Sequence, residues 1–393
     1  MSKPLSSVHD VVVVGARAAG AATAMLLARA GLDVLVVDRG RYGADTLSTH
    51  ALMRAGVVQL HRWGLLDDVI AAGTPAVRTT TFTYADEEVR VTIKPSHGVD
   101  ALYAPRRTVL DPILVDAARA AGASFDYGTS VTDILRDRTG RVGGVEGRDR
   151  HGRAVRHEAR WVVGADGLRS LVADAVDAPI ERRGTGVTAV VYGYWSGLAV
   201  DGYQWVFRPD ACAGLIPTND DHTCVFAAST PQRIGRGGID ILHEVVRAAA
   251  PALADRVASA TQPSGVRTFG GLPGYMRVPW GAGWALVGDA GYWKDPIGAH
   301  GLTDALRDAE LLARAITAIA TGDATESDAL GHFHRTRNCI SLPLFDVVDT
   351  IAGMRWSDAE IPGLLRELSS AMSDEVDVVA GLDEEPVVSG AAL

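Results

Sequence analysis

Apolar and polar positions follow different rhythms along the chain, and each rhythm predicts a different element. Residues 11 to 14 are four successive valines, the pattern of a central parallel strand covered on both faces. The alanine-rich stretch from Ala18 to Ala30 predicts a helix closed by Gly31, and DVLVVDR predicts a second strand ending at Asp38. Together they read as a β-α-β unit. STHALMRAGVVQLHRWG has helical spacing, with Ser48 or Thr49 as its cap and Gly64 as its stop. From Val77 to Tyr103 the period shortens to two, with a turn expected at Asp86-Glu87.

A further helix is expected from about Arg107 to Ala121, then strands over 124–163 with a hairpin turning at Thr139-Gly140 and ending in WVVGADG. Residues 186–276 are strand-rich (TAVVYGYWSG, YQWVFRP, CAGLIPT, TCVFAAS), interrupted by a helix from Ile239 to Ala254. WALVGDAG reads as a short strand into a turn before a helix from Leu302 to Ala320. Residues 326–372 are mostly helical, and the acidic stretch Asp374–Glu385 has the composition of a mobile tail or a cap over a pocket.

The fold class is therefore α/β. A Rossmann-like nucleotide-binding domain (1–76, 104–185 and 277–325) is interrupted by an antiparallel β-sheet substrate domain (77–103 and 186–276). A C-terminal part (326–393) is helical and ends in the acidic tail. A cleft between two such layers is the usual place for a small-molecule substrate.

Composition narrows the class. With 393 residues, 47% hydrophobic and 22% charged, this is an ordinary globular chain, and its net charge of −10 argues against a sequence-independent nucleic-acid binder, which needs a basic face. Cys212, Cys224 and Cys339 have no zinc or disulfide spacing, and no metal site is expected. No apolar run is long enough to span a membrane, and no signal segment precedes the first strand, so a cytoplasmic location is expected.

The chemistry concentrates in three glycine–acid turns: Gly15-Ala-Arg17-Ala18-Ala-Gly20 with Asp38, then Gly164-Ala-Asp166-Gly167, then Gly288-Asp289. Asp38 follows Gly15 by 23 residues, near the spacing of a ribose-binding carboxylate. Arg17 stands where the dinucleotide fingerprint has its middle glycine.

On these motifs, together with the segment WALVGDAGYWKDPIGAHGLTDALRDAELLA, the chain resembles the flavoprotein monooxygenases of the para-hydroxybenzoate hydroxylase type and their geranylgeranyl reductase relatives. The resemblance implies FAD. Gly15, Ala18 and Gly20 would hold its pyrophosphate over a helix N-terminus, and Asp38, with Arg39 beside it, would meet the adenosine ribose. Asp166 and Gly167 would lie near the pyrophosphate, and Gly288 and Asp289 near the ribityl hydroxyls. Pro296, Gly298, His300, Gly301 and Leu302 would form the flavin loop and the start of the helix behind it. Arg107, preferred to Arg106, would reach a phosphate, while Arg54 and His50 would lie near the flavin or the pyridine nucleotide. His300 is either a proton donor or a loop residue, and Arg17 serves either FAD or NAD(P)H.

The implied activity is insertion of one oxygen atom from O2, through a flavin C4a-hydroperoxide, into a small aromatic or polyketide-like molecule. NAD(P)H, bound transiently for want of a second β-α-β fingerprint, would be the reductant, or a separate flavin reductase would deliver reduced flavin. Pro296, His300 and His50 are the candidate catalytic residues. A flavin-dependent reductase shares all these motifs and stays open. A halogenase is disfavoured by the absence of a W-x-W-x-I-P segment, with Lys294 beside the flavin loop its remaining support. Oligomeric state and substrate identity are not encoded in these motifs.

Overall fold

The computed structural model describes residues 8–85, 87–262 and 265–383. Its central sheet is built from the valine runs. The strand His9–Val14 pairs in parallel with Val34–Asp38 on one side and Ala154–Gly164 on the other. Ser124–Tyr127 extends the first side and Trp284–Leu286 the second, again in parallel. Val11, Val12 and Val13 are fully buried because helices cover one face and a hairpin layer the other.

The chain adds strands to one side of His9–Val14 and only later to its other side. Strand order therefore reverses between His9–Val14 and Ala154–Gly164, the position where connections diverge and leave a crevice beyond the strand ends. The helices Ala18–Arg29 and Gly301–Thr321 pack against each other above this point. The expected hairpin is present as Ser130–Arg136 and Val142–Arg148, with Gly140 in its turn.

The stretches 77–103 and 186–276 share a second, seven-stranded sheet running from Arg267–Phe269 to Glu87–Thr92. Its neighbours are antiparallel except Tyr203–Arg208 beside Thr79–Tyr84, which run parallel. Alternation along Ala189–Ser196 sends Val191 and Trp195 towards the helices Ile239–Ala249 and Pro251–Ser259, and Tyr192 and Tyr194 to the opposite face. That opposite face packs against Glu326–Ala352 and Ile361–Gly381. Among the described residues, no helix is long and apolar enough to cross a membrane.

Three elements differ from expectation. The helix expected from Ser48 begins at Arg54, because Leu52 bridges to Tyr103 and His50 takes a left-handed backbone (φ 50°). The helix expected over 239–254 breaks at Ala250, which is extended ahead of Pro251. The acidic stretch is no free tail as far as it is described: Asp374 to Gly381 complete the last helix, with Glu375 fully buried. Asp86, Glu384 and Glu385 lie outside the described residues.

Candidate active site

The three glycine turns interlock at the strand ends. A Cβ on Gly15 (φ +108°) would sit 2.4 Å from the Ala165 carbonyl oxygen, and one on Gly20 would sit 1.8 Å from that of Gly15. A Cβ on Gly288 would meet that of Ala19 at 3.0 Å. Only glycine permits this approach of turn, strand and helix. Gly167 and Gly301 are different: no atom lies within 4 Å of where their Cβ would be, so they border open space. Buried Ala18 opens its helix with no side-chain cap and no acid in the first turn, which leaves the positive helix end available to an anion.

Arg17 caps that end through an extended backbone. Its Nη2 reaches the Asp45 carbonyl at 3.4 Å, while its buried Nη1 has no hydrogen-bond partner among the described residues. Burial first, and then the neighbouring Arg107 charge, hold this guanidinium below its ordinary pKa. Arg107 gives Nε and Nη2 to Asp111 at 2.8 and 3.0 Å, so its fork is already engaged. Two neighbouring guanidinium groups, one with a spare buried nitrogen, beside a helix N-terminus form a donor set suited to a pyrophosphate.

The acids around this set have distinct tasks. Asp38 accepts the Ala16 and Gly40 amides at 2.7 and 2.6 Å, which shapes the turn and leaves lone pairs for a hydroxyl. Arg39 beside it is exposed. Asp166 turns to the Ser170 hydroxyl (2.5 Å) and the Val172 amide (3.2 Å), so it braces its own turn while Gly167 faces the opening. Asp289 is half-buried, and burial together with Asp304 pushes its carboxyl up to about 7, against the pull of Arg107 and Lys294.

His50 is buried beneath the second sheet. Its Nδ1 lies 3.1 Å from the Ala104 carbonyl and its Nε2 3.1 Å from the Tyr194 hydroxyl, with the two rings stacked. Burial, then Arg106, lowers its pKa to about 3, so His50 is neutral. Arg106 lies over the Tyr194 ring at 3.8 Å and reaches Asp45 at 3.3 Å. Arg54 is held by Ser96 and the Lys94 carbonyl at 2.9 and 2.8 Å. His50 and Arg54 thus belong to separate networks.

The segment expected to form the flavin loop is fixed from below by Asp295, which accepts from Thr188 and Ile297 and caps the turn Pro296–Gly298. Ala299 is left-handed (φ 49°), and a Cβ on Gly298 would press on Val348 at 2.7 Å. Gly301 and buried Leu302 then begin the long helix. Beside this loop lies a cavity of about 350 Å³, walled by Phe82, Trp205, Phe207, Leu365, Met372 and His300.

Behind His300 stands a buried charge cluster. Its Nε2 bonds to Glu375, whose other oxygen takes Arg307 at 2.7 Å. Arg307 also holds Asp304 (3.0 Å) and Asp308 (2.8 Å), and Lys294 pairs with Asp304. His300, Asp304 and Glu375 converge as metal ligands do, but Lys294 and Arg307 already occupy the carboxylates. Glu375 and Arg307 escaped the sequence reading, because nothing in the acidic composition around Glu375 marks it as buried, and Lys294 was noted only as support for a halogenase.

A family model described as FAD binding domain matches residues 8–342. A stretch of 171 residues, 42% of the chain, is 34% identical to the probable electron transfer flavoprotein-quinone oxidoreductase YdiS of Escherichia coli K12, and spans 37% of that protein. Menaquinone reductase of Mycolicibacterium smegmatis is 28% identical over 78% of the chain and 76% of its own length. P. aeruginosa PqsL in complex with 2-aminobenzoylacetate has the same fold, with a TM-score of 0.78 at 21% identity, covering 92% of this chain and all of PqsL.

Proposed function

The chain belongs to the FAD binding domain family, and from that premise we propose that this FAD-dependent oxidoreductase is an NAD(P)H-dependent monooxygenase acting on a small apolar, ring-bearing molecule. The observation that carries the reading is the compact apolar cavity beside the loop Pro296–Gly301. When bound, FAD supplies hydride acceptance and oxygen activation, chemistry no side chain provides.

The protein's part is to bind, orient and keep dry. Arg17, the free end of Ala18–Arg29 and Arg107 would hold the pyrophosphate, and Asp38 and Asp289 the two sugar-like portions. The N-terminus of Gly301–Thr321 would favour negative charge on the ring facing it. The aromatic walls would exclude water and orient the substrate. Neutral His50 would brace the segment 45–50 through Tyr194 without adding charge. We assign 1–76, 104–185 and 277–325 to the FAD-binding domain and 77–103 with 186–276 to the substrate domain, the last helices closing the cavity.

A second reading, a flavin-dependent reductase, is favoured by the identity to menaquinone reductase over most of the chain. NAD(P)H consumption measured with and without O2, alongside product mass, decides between them. A product one oxygen atom heavier supports oxygenation; a product gaining two hydrogens without O2 replaces it with reduction. Halogenation finds no support at Lys294, whose amine is buried and paired with Asp304.

A further inference from the structure

The imidazole of His300 borders the apolar cavity and is only 2% exposed. Its two nitrogens are in unlike situations. Nε2 meets the carboxylate of Glu375, which also accepts from Arg307. Glu375 is held in its ionised form, below the usual carboxylate range, by His300 and Arg307 against the opposing effect of burial. A carboxylate only accepts, so Nε2 carries a hydrogen. Nδ1 is buried with no partner among the described residues, a costly state for a polar atom.

The charges around the ring indicate which partner Nδ1 needs. Lys294 on the preceding loop and Arg307 on Gly301–Thr321 face Asp304, Asp308 and Glu375. These are two cations against three carboxylates, all buried. Arg337 beyond Asp308 is itself bonded to Glu181. An imidazolium at His300 balances this immediate cluster, and both its nitrogens are then donors.

We propose that the cavity takes an apolar ring molecule bearing an acceptor oxygen, a ketone or an oxyanion, and that His300 Nδ1–H donates to that oxygen while Glu375 acts as its positioning residue. The proposal rests on the reading of this cavity as the substrate site. It gives the last helix a purpose: Glu375 fixes the imidazole from one side of Ile361–Gly381, and Leu365 and Met372 of the same helix wall the cavity. Ligand recognition then draws on a contact made by the C-terminal helix.

The test uses FAD-saturated full-length protein and two neutral probes of matched shape, 2-acetylnaphthalene and 2-isopropylnaphthalene, with affinities from equilibrium dialysis. The ketone is expected to bind about 10- to 100-fold more tightly, the range for a hydrogen bond to a charged group. H300L should bring the two probes within about twofold, and H300Q, which restores a donor, should recover part of the ratio. E375Q should lower the ratio while leaving hydrocarbon affinity and flavin absorbance unchanged.

Equal affinities in the wild type, or a ratio that survives H300L, overturns the inference. Loss of both probes together in E375Q reduces Glu375 to a structural role and overturns its positioning part. Should E375Q fail to fold, the H300L and H300Q pair still decides the donor. A wild type that cannot be loaded with FAD counts against the functional reading instead, whereas loaded protein without probe discrimination defeats only this inference.

Discussion

Asp289 provides a quantitative test of how the turns come together. Burial and the Asp304 charge push its carboxyl from 3.8 up to about 7. Between those values the folded apoprotein keeps a proton that the unfolded chain has lost, so this contribution to stability is complete below about pH 4 and disappears as pH rises through about 7. Three units correspond to about 4 kcal/mol, of which about 2.6 kcal/mol is lost between pH 5 and pH 8. Asp289→Asn keeps the size and removes the titration. Urea unfolding of apoprotein at both pH values should therefore show the variant gaining about 2–3 kcal/mol on the wild type as pH rises. Saturation with FAD should flatten the wild-type slope, because hydroxyls donating to the carboxylate favour its charged form. The same pH slope in both proteins would refute the placement of Asp289 beside Asp304 in a desolvated turn.

Three further perturbations probe the same region. Gly20→Ala forces a methyl group to 1.8 Å from the Gly15 carbonyl, and should cost roughly 3 kcal/mol or more and abolish the flavin absorbance of the purified protein. Arg17→Gly removes one guanidinium while Arg107 and the helix end remain; FAD should stay bound but about tenfold more weakly, as read by flavin fluorescence on titration, and an unchanged affinity would leave the side chain to NAD(P)H. His50, lowered to about 3 from 6.5, resists protonation when folded, so stability present above pH 6.5 drains away as pH falls towards 3. His50→Asn should remove about 3 kcal/mol of that acid-side loss between pH 7 and pH 4, measured as the difference between the two proteins' unfolding free energies at those two pH values.

Local chemistry made much of the fold legible. Four valines in succession suit only a strand covered on both faces, and the glycines of the turns sit where a side chain would strike a neighbouring backbone. The spacing from Gly15 to Asp38 placed the acid correctly at the second strand's end. Legibility failed where distant contacts overrule local preference. Ser48 looks like a helix cap, yet its amide is taken by the Tyr192 hydroxyl, 144 residues on, and the helix waits until Arg54. Pro251 was visible in the sequence, but the apolar spacing on either side of it masked the break.

Arg17 and Glu375 mark the two ends of what sequence can reveal. Arg17 looked like an objection to a dinucleotide turn, since its position in the fingerprint is a glycine. The turn keeps its close approach through Gly15 and Gly20, and Arg17 adds a guanidinium whose Nη1 lies buried without a partner among the described residues. A departure from the motif thus became a donor, and the motif itself directed attention to it. Glu375 had no such pointer: it stands among exposed acids in a segment whose composition predicts mobility. It is buried only because Arg307 and His300, 68 and 75 residues away, supply two hydrogen bonds that a carboxylate needs to leave water. Removing either donor would weaken the hold on Glu375, while Ile361, Leu368, Val376 and Val379 still pack the helix into the core. The cavity wall the helix carries is therefore tied both to that packing and to the ion pairs, and a buried electrostatic contact, not apolar packing alone, helps set the shape of the pocket.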